Sequence, residues 1–401
     1  MNLINLLLAI CLIGCGHNPS AAGGDLPDVS GLAAQNNRFA ADLYQQLSPD
    51  SDNIFFSPYS LSNALSMTLA GAEGDTEKQM KKALGVDMGK QDLFAAFSTL
   101  NKTINELNRQ AGISVLCANG LWAQTGYPFQ KAFLKLVADD FDAEIQQVDF
   151  VTGHEYQRRQ INAWVEQQTN DKIIDLLPAD ALDPRTRMVL VNAVYFKGDW
   201  AIPFNPEMTK KADFRAYPEG LHSVPMMCRQ AEFNYTRDDR FEMLELPYAG
   251  QSASMLILLP DSRDDLKEVG KVLTVDYINE LYGRLAKNDV RVLLPRFKVQ
   301  GNFSLSGVLR TMGMGVAFDG RADFSGMNGE KSLYLNEVIH KAVIEVDEKG
   351  SEAAAATGVV MRATSAIPKV TVFQADHPFV FLIRENKTGL ILFLGRLVKP
   401  V

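Results

Sequence analysis

Between Glu348 and Ile367 the chain reads Glu-Lys-Gly-Ser-Glu-Ala-Ala-Ala-Ala-Thr-Gly-Val-Val-Met-Arg-Ala-Thr-Ser-Ala-Ile, a composition that suits neither a core element nor an ordinary turn. Ala353 to Ala356 is strong helix-forming text with a suitable cap in Ser351, but Thr357, Gly358, Val359 and Val360 end it within about two turns, too short to hold alone. A period of two fits better, because strand side chains alternate between faces. One parity carries Ser351, Ala353, Ala355, Thr357, Val359 and Met361, all small or apolar, and the other carries Glu352 and Arg362. That is a strand with one dry face. It lies in a segment that also suits an exposed loop, hinged at Gly350, which accepts backbone angles other residues avoid. Residues written for both states point to a switch in which a surface loop becomes a strand of a sheet.

At 401 residues the chain has length for a large core, and 46% hydrophobic with 22% charged residues is ordinary globular composition. A formal charge of -8 without any run of Lys or Arg argues against nucleic-acid binding. No zinc spacing, phosphate-binding loop or dinucleotide fingerprint occurs, so no metal and no cofactor are expected. No Gly-x-Ser-x-Gly elbow or other nucleophile setting occurs either, so no catalytic site is expected and the chain does not read as an enzyme.

Leu6 to Cys15 is apolar but too short to span a bilayer as an anchor. Leu12-Ile13-Gly14-Cys15 resembles a bacterial lipobox, in which cleavage before the cysteine leaves Cys15 as the lipid-bearing N-terminus. No Lys or Arg precedes the apolar run, so an ordinary secretory signal is the alternative. Either reading exports the protein, and the expected location is a bacterial cell envelope, lipid-anchored at Cys15, or secreted. The expected boundaries are a signal peptide over 1–14, a lipidated tether over 15–30 and one folded domain over 31–401. Cys117 and Cys228 then remain, as two buried free thiols or as a disulfide.

Helical text runs through Phe39, Leu43 and Leu47, then from Leu61 to Ala70 with Pro58 in the first turn and Ser57 as cap, from Gly74 to Gly85, from Phe129 to Asp139, and around Ile161 to Glu166. Strand text dominates the later half, at 188–196, 243–246, 254–259, 290–294, 333–346, 379–383 and 390–394, with helical text at 266–285 and 305–312. The two types do not alternate, which favours one large mixed domain over a doubly wound sheet. In 333–346 the alternation sets His340 on the apolar parity of Val338, Ala342, Ile344 and Val346, so its imidazole should be buried and needs hydrogen-bond partners.

The run from Glu348 to Thr357 closely resembles the reactive-loop hinge of inhibitory serpins. The resemblance extends from about Asn36 to Val401 through Asn53-Ile-Phe-Phe-Ser-Pro-Tyr-Ser60, Phe141-Asp-Ala-Glu, Val191-Asn-Ala-Val-Tyr-Phe-Lys-Gly-Asp-Trp200, Val224-Pro-Met-Met, Ala322-Asp-Phe-Ser-Gly326, His340-Lys-Ala-Val and His377-Pro-Phe-Val-Phe. It implies an α+β single domain of three β-sheets with about nine helices and an exposed reactive-centre loop over 348–367.

It also implies site residues. The hinge comprises Glu348, Gly350, Ser351, Glu352, Ala353, Ala354, Ala355, Ala356 and Thr357. Ser57, Ser60, Asn192 and His340 form a polar shutter beneath the central sheet, and Trp200, Arg296 and Glu348 form the breach where the loop enters. Counting from Gly350 as the family does puts the reactive bond at Thr364-Ser365, with Arg362-Ala363 as the alternative.

The implied function is irreversible, suicide-substrate inhibition of serine endopeptidases, the acyl-enzyme being trapped when the cleaved loop inserts as a strand of the central sheet. Ala363 and Thr364 suit elastase-like or subtilisin-like targets, and Arg362 suits trypsin-like ones. A cysteine protease also fits, since the trap needs only an acyl intermediate. Heparin-activated members carry a basic helix where Gly89 to Gln110 here holds only Lys90, Lys102 and Arg109, so no heparin-type cofactor is expected. A monomer is expected, touching membrane through its N-terminal lipid only. The alternatives are a non-inhibitory serpin-fold carrier or chaperone, or a ligand-binding envelope lipoprotein.

Overall fold

The computed structural model describes residues 29–47, 52–110, 112–141, 143–261, 273–350 and 370–400. Among these, helices dominate the first half: α1 (Val29–Leu47), α2 (Pro58–Leu69), α3 (Gly74–Ala83), α4 (Lys90–Arg109), α5 (Lys131–Phe141) and α6 (Phe150–Gln168). The later half adds α7 (Val275–Gly283) and two single turns, α8 (Ser306–Leu309) and α9 (Ser325–Asn328). Local chemistry sets several ends. Ser57 caps α2 by accepting the Ser60 amide, with Pro58 in the first turn, and Asp149 caps α6 by accepting the amide of Thr152. Helix α1 begins at Val29, within the stretch 15–30 expected as a tether.

Five strands form one sheet in the order β10 (Phe297–Ser304), β11 (Glu337–Val346), β4 (Met188–Gly198), β2 (Ile113–Gln124) and β3 (Glu144–Val148). The pairs β10–β11 and β2–β4 are antiparallel and the edge pair β2–β3 is parallel, while at the centre β11 runs parallel to β4, with Glu337 to Ile344 facing Val189 to Phe196. The other strands form one ladder, β1 (Ile54–Phe56), β14 (Ile391–Leu397), β13 (Phe379–Glu385), β8 (Ala253–Pro260), β7 (Phe241–Pro247), β6 (Gly220–Arg237), β9 (Ala286–Pro295) and β12 (Thr371–Gln374), with β5 (Lys210–Ala216) also on β6. Two of the three expected sheets are therefore continuous. The join is β6, whose 18 residues pair with β5 at one end and β7 at the other, outlasting either partner.

The main core lies between the two sheets, where α2 runs with all its residues buried. A smaller apolar cluster lies on the other face of the five-stranded sheet, where Ile161 and Val165 of α6 meet Val189, Val191, Ala193, Ile339 and Val343. Strand parity thus divides β4 and β11 cleanly: even positions point into the main core and odd ones toward α6.

The sheets approach closely at β10, where a Cβ on Gly301 would lie 2.1 Å from the Phe55 carbonyl oxygen. Backbone cannot yield as a side chain can. Gly301→Ala should cost about 2–4 kcal/mol of stability, read as a lower midpoint in chemical unfolding; an unchanged midpoint would show that β1 and β10 separate freely.

Candidate functional site

The parallel seam between β4 and β11 ends in a tight turn. After Val346 the chain reverses over Asp347 to Gly350, with the Gly350 amide donating to the Asp347 carbonyl at 3.2 Å and the two residues forming an antiparallel bridge. Gly350 has φ +88°, and a Cβ there would meet the Gly198 carbonyl oxygen at 2.2 Å and the Trp200 nitrogen at 2.4 Å. Both facts call for glycine. The turn is pinned to the end of β4 by the Trp200 amide donating to the Lys349 carbonyl at 2.9 Å, the Phe204 amide to the Glu348 carbonyl at 2.8 Å, and the Trp200 indole N–H to the Asp347 carbonyl at 3.0 Å. The Trp200 ring itself stacks on Tyr248 with centroids 4.8 Å apart.

Glu348 is 3% exposed. Burial pushes its carboxyl up, but bonds from Arg296, whose Nε lies 2.7 Å from Oε1, and from the Thr209 hydroxyl outweigh that and hold it below the usual carboxylate range. Arg296, Glu348 and Trp200 are thus brought together, though Trp200 holds the backbone beside the carboxylate, not the carboxylate. Thr209 and Asp347 were not singled out in the sequence; Thr209 lies so far from Glu348 along the chain that only the fold reveals the contact.

Halfway down the seam a polar row crosses the sheet. Phe303, His340, Asn192 and Asn119 are successive register partners on β10, β11, β4 and β2. The Ser57 amide donates to His340 Nε2 at 3.1 Å, so the imidazole proton sits on Nδ1 and is donated to Asn192 Oδ1 at 2.5 Å. Asn192 Nδ2 donates to the Ser60 hydroxyl at 2.7 Å, to the Ser60 carbonyl at 3.2 Å and to Asn119 Oδ1. The Ser57 hydroxyl accepts the Ser60 amide and donates to the Leu392 carbonyl at 2.7 Å, linking α2 to the larger sheet. Ser57, Ser60, Asn192 and His340 are each at most 1% exposed, so every bond matters. Asn119 is a further member; an amide among Leu and Ala inside a strand was its available signal.

On the opposite face, Lys341 is 6% exposed and its ammonium donates at 2.7 Å to the Ile174 carbonyl, in the segment following α6. Burial lowers its pKa, with Asp175 opposing. This bond ties the cover of the seam to β11.

Of the two expectations for Cys117 and Cys228, free thiols or a disulfide, both are free, but Cys117 is exposed and Cys228 half-buried where burial was expected. Cys15 lies outside the described residues, as does the stretch holding Ser351, Glu352, Ala353, Ala354, Ala355, Ala356, Thr357, Arg362, Ala363, Thr364 and Ser365.

Burial holds the His340 imidazole down at about 3, the Asn192 bond opposing only in part. The unfolded imidazole titrates near about 6.5, so between those values the unfolded chain binds a proton that the native one refuses. Stability therefore falls as pH drops from about 6.5, before most carboxylates titrate. Unfolding midpoints between about pH 7 and 5 should decline, and His340→Gln should flatten that decline; equal slopes would remove His340 as the cause.

The residues from 34 to 400 match the family model described as Serpin (serine protease inhibitor). The chain is 41% identical over 379 residues to the leukocyte elastase inhibitor of Bos taurus, covering 92% of this chain and 99% of that one. It is 38% identical over 390 residues to serpin B3 of Homo sapiens, covering 93% and 100%. Uncleaved ovalbumin superposes with a TM-score of 0.83 at 29% identity, covering 92% of this chain and 100% of ovalbumin. These relatives correct the expected location: they are vertebrate leukocyte elastase inhibitors and a serpin B, not bacterial envelope lipoproteins, so neither the envelope assignment nor the lipid anchor at Cys15 is kept. Two packed sheets, a parallel seam closed by a glycine turn and a match across nearly the whole chain together make this protein a member of the serpin family.

Proposed function

We propose that this protein is an irreversible, suicide-substrate inhibitor of serine endopeptidases, with residues 31–401 as the working unit. The observation that carries the proposal is the parallel seam between β4 and β11, topped by a turn that already points the chain back along it. A strand entering there is antiparallel to both neighbours and replaces one parallel ladder with two antiparallel ones. That the bovine and porcine relatives are named leukocyte elastase inhibitors supports an elastase-like target.

Extending the Asp347–Gly350 pairing one residue at a time sets Ser351 opposite Val346, Ala353 opposite Ile344, Ala355 opposite Ala342 and Thr357 opposite His340. The dry parity then faces the main core, whose even positions on β11 and β4 are apolar except at His340 and Asn192. At that one polar rung the arriving residue is Thr357. Insertion must break the His340–Asn192 bond, and a hydroxyl between them offers each a new partner. Glu352 falls on the other parity, toward the α6 face.

The protease attacks the Thr364 carbonyl, its serine oxygen forming the acyl bond as the Thr364–Ser365 bond breaks and the new amine leaves. Ser351 to Met361 then enters the seam before water completes hydrolysis, and the energy released distorts the oxyanion hole and triad of the bound enzyme. The intact inhibitor is held kinetically, short of its most stable arrangement. Arg362–Ala363 remains the second bond, for trypsin-like enzymes.

Incubation with an elastase-like protease should give an SDS-stable adduct whose mass spectrum shows cleavage at Thr364–Ser365. Clean cleavage with no adduct would sink the inhibitor reading, and a different scissile bond would move the reactive centre. In the inserted register Ala355 lies between Ala342 and Val194, so Ala355→Arg forces a charge into apolar core. The moles of inhibitor consumed per mole of protease should rise at least about tenfold; an unchanged ratio refutes the register.

A further inference from the structure

Helix α6 lies across the seam, and both of its ends belong to the same side of it. Its start is fixed to the last residue of β2. Phe150 is fully buried, Gln124 Oε1 accepts the amides of Phe150 and Val151 at 2.7 and 3.2 Å, and Gln124 Nε2 donates to the capping Asp149 at 3.3 Å. The connector that follows folds back on the helix before the chain enters β4 at Met188. There the Leu177 amide donates to Asn162 Oδ1 at 2.8 Å, and the Leu177 carbonyl accepts from Asn162 at 3.0 Å and from Arg158 at 2.7 Å. On the far side of the seam this body is held to β11 by Ile161 and Val165 against Ile339 and Val343, and by the Lys341 bond to the Ile174 carbonyl.

A strand entering between β4 and β11 moves them apart by about 4.8 Å, one strand spacing, while β2 keeps its ladder with β4. The cover cannot stay seated on both halves. Its two ends travel with β2 and β4, so β11 is the half it leaves.

Gly153 is placed for that motion. It interrupts α6 between the anchored first turn and the run that ends at Gln168, with a non-helical φ of -138° and ψ of 26°. Neither usual demand for glycine applies, because φ is negative and a Cβ would meet nothing within 4 Å. What glycine supplies here is rotational freedom, at a joint between a fixed turn and a body that has to move. Resting on the insertion reading above, we propose that Gly153 is the hinge about which the rest of α6 and its connector swing off β11 as a strand enters the seam.

A fluorescein-labelled peptide of sequence 351–361, added to the intact protein, tests the swing without any protease, as a rate of uptake. Gly153→Ala fits the space, favours a continuous helix and removes freedom at the joint. The variant should keep or raise the unfolding midpoint yet slow uptake about fivefold, and it should raise the moles of inhibitor consumed per mole of protease. Gly283→Ala, the same change at the end of α7, should leave both at wild-type values. Equal uptake by wild type and Gly153→Ala, equal slowing by Gly283→Ala, or no uptake by any of the three would overturn the hinge. A protein that takes up peptide with the expected dependence but forms no adduct with protease upholds the hinge and sinks only the inhibitor reading.

Discussion

Two strands running the same way at the centre of the five-stranded sheet, each with an antiparallel partner on its other side, constitute the constraint on which the molecule depends. Strand β11 shares only slanted bonds with β4, and the chain leaving it is reversed at once by Asp347 to Gly350. Orientation is settled by that reversal, because any residue following Gly350 into the seam runs antiparallel to both sides. Glu348, Arg296, Thr209 and Trp200 all serve the same few residues. With the Phe204 amide they hold the turn at the mouth of the seam through one half-buried ion pair, the Thr209 hydroxyl and three backbone or indole bonds.

The seam is held shut by a polar row as well as by apolar packing. A fully apolar seam would close on dispersion and burial alone, with nothing to distinguish one register from its neighbour. The His340–Asn192 bond is directional and crosses the seam, Asn119 extends the row to β2, and Ser57 and Ser60 tie it to α2. Since the network joins α2, the smaller sheet and, through the Leu392 carbonyl, the larger one, displacement of β4 is felt at three layers. Lys341 works on the far face, where an ammonium kept from water holds the segment after α6.

Much of this was legible in the chain. The parity of Val338, Ala342, Ile344 and Val346 places His340 on the buried face, and Pro58 with Ser57 marks the start of α2. Other elements escaped. Helix α4 carries a clean stripe of Leu93, Phe97, Leu100, Ile104 and Leu107 that its periodicity signals. Strands β5 and β10 alternate apolar with charged residues too sparsely to stand out, and β6 opens on Gly, His, Ser and Pro; their partners, not their own text, make them strands. Pairing direction was beyond reach for the same reason. Whether β11 meets β4 parallel or antiparallel is decided by where the intervening chain travels, a property of no local window.

The segment between Gly350 and Thr371 has its two ends on different ladders, β11 in the smaller sheet and β12 in the larger. Eight rungs of the seam extend about 26 Å at strand rise, and an uncut segment that travelled down them would have to return to β12 with roughly ten residues, whose full reach of about 33–36 Å covers that length only when nearly straight. Covalent continuity therefore leaves the uncut segment little slack for that path. No latch has to be undone by binding: one hydrolysed peptide bond turns a closed loop into a free end, and a change of connectivity alone makes the longer journey available.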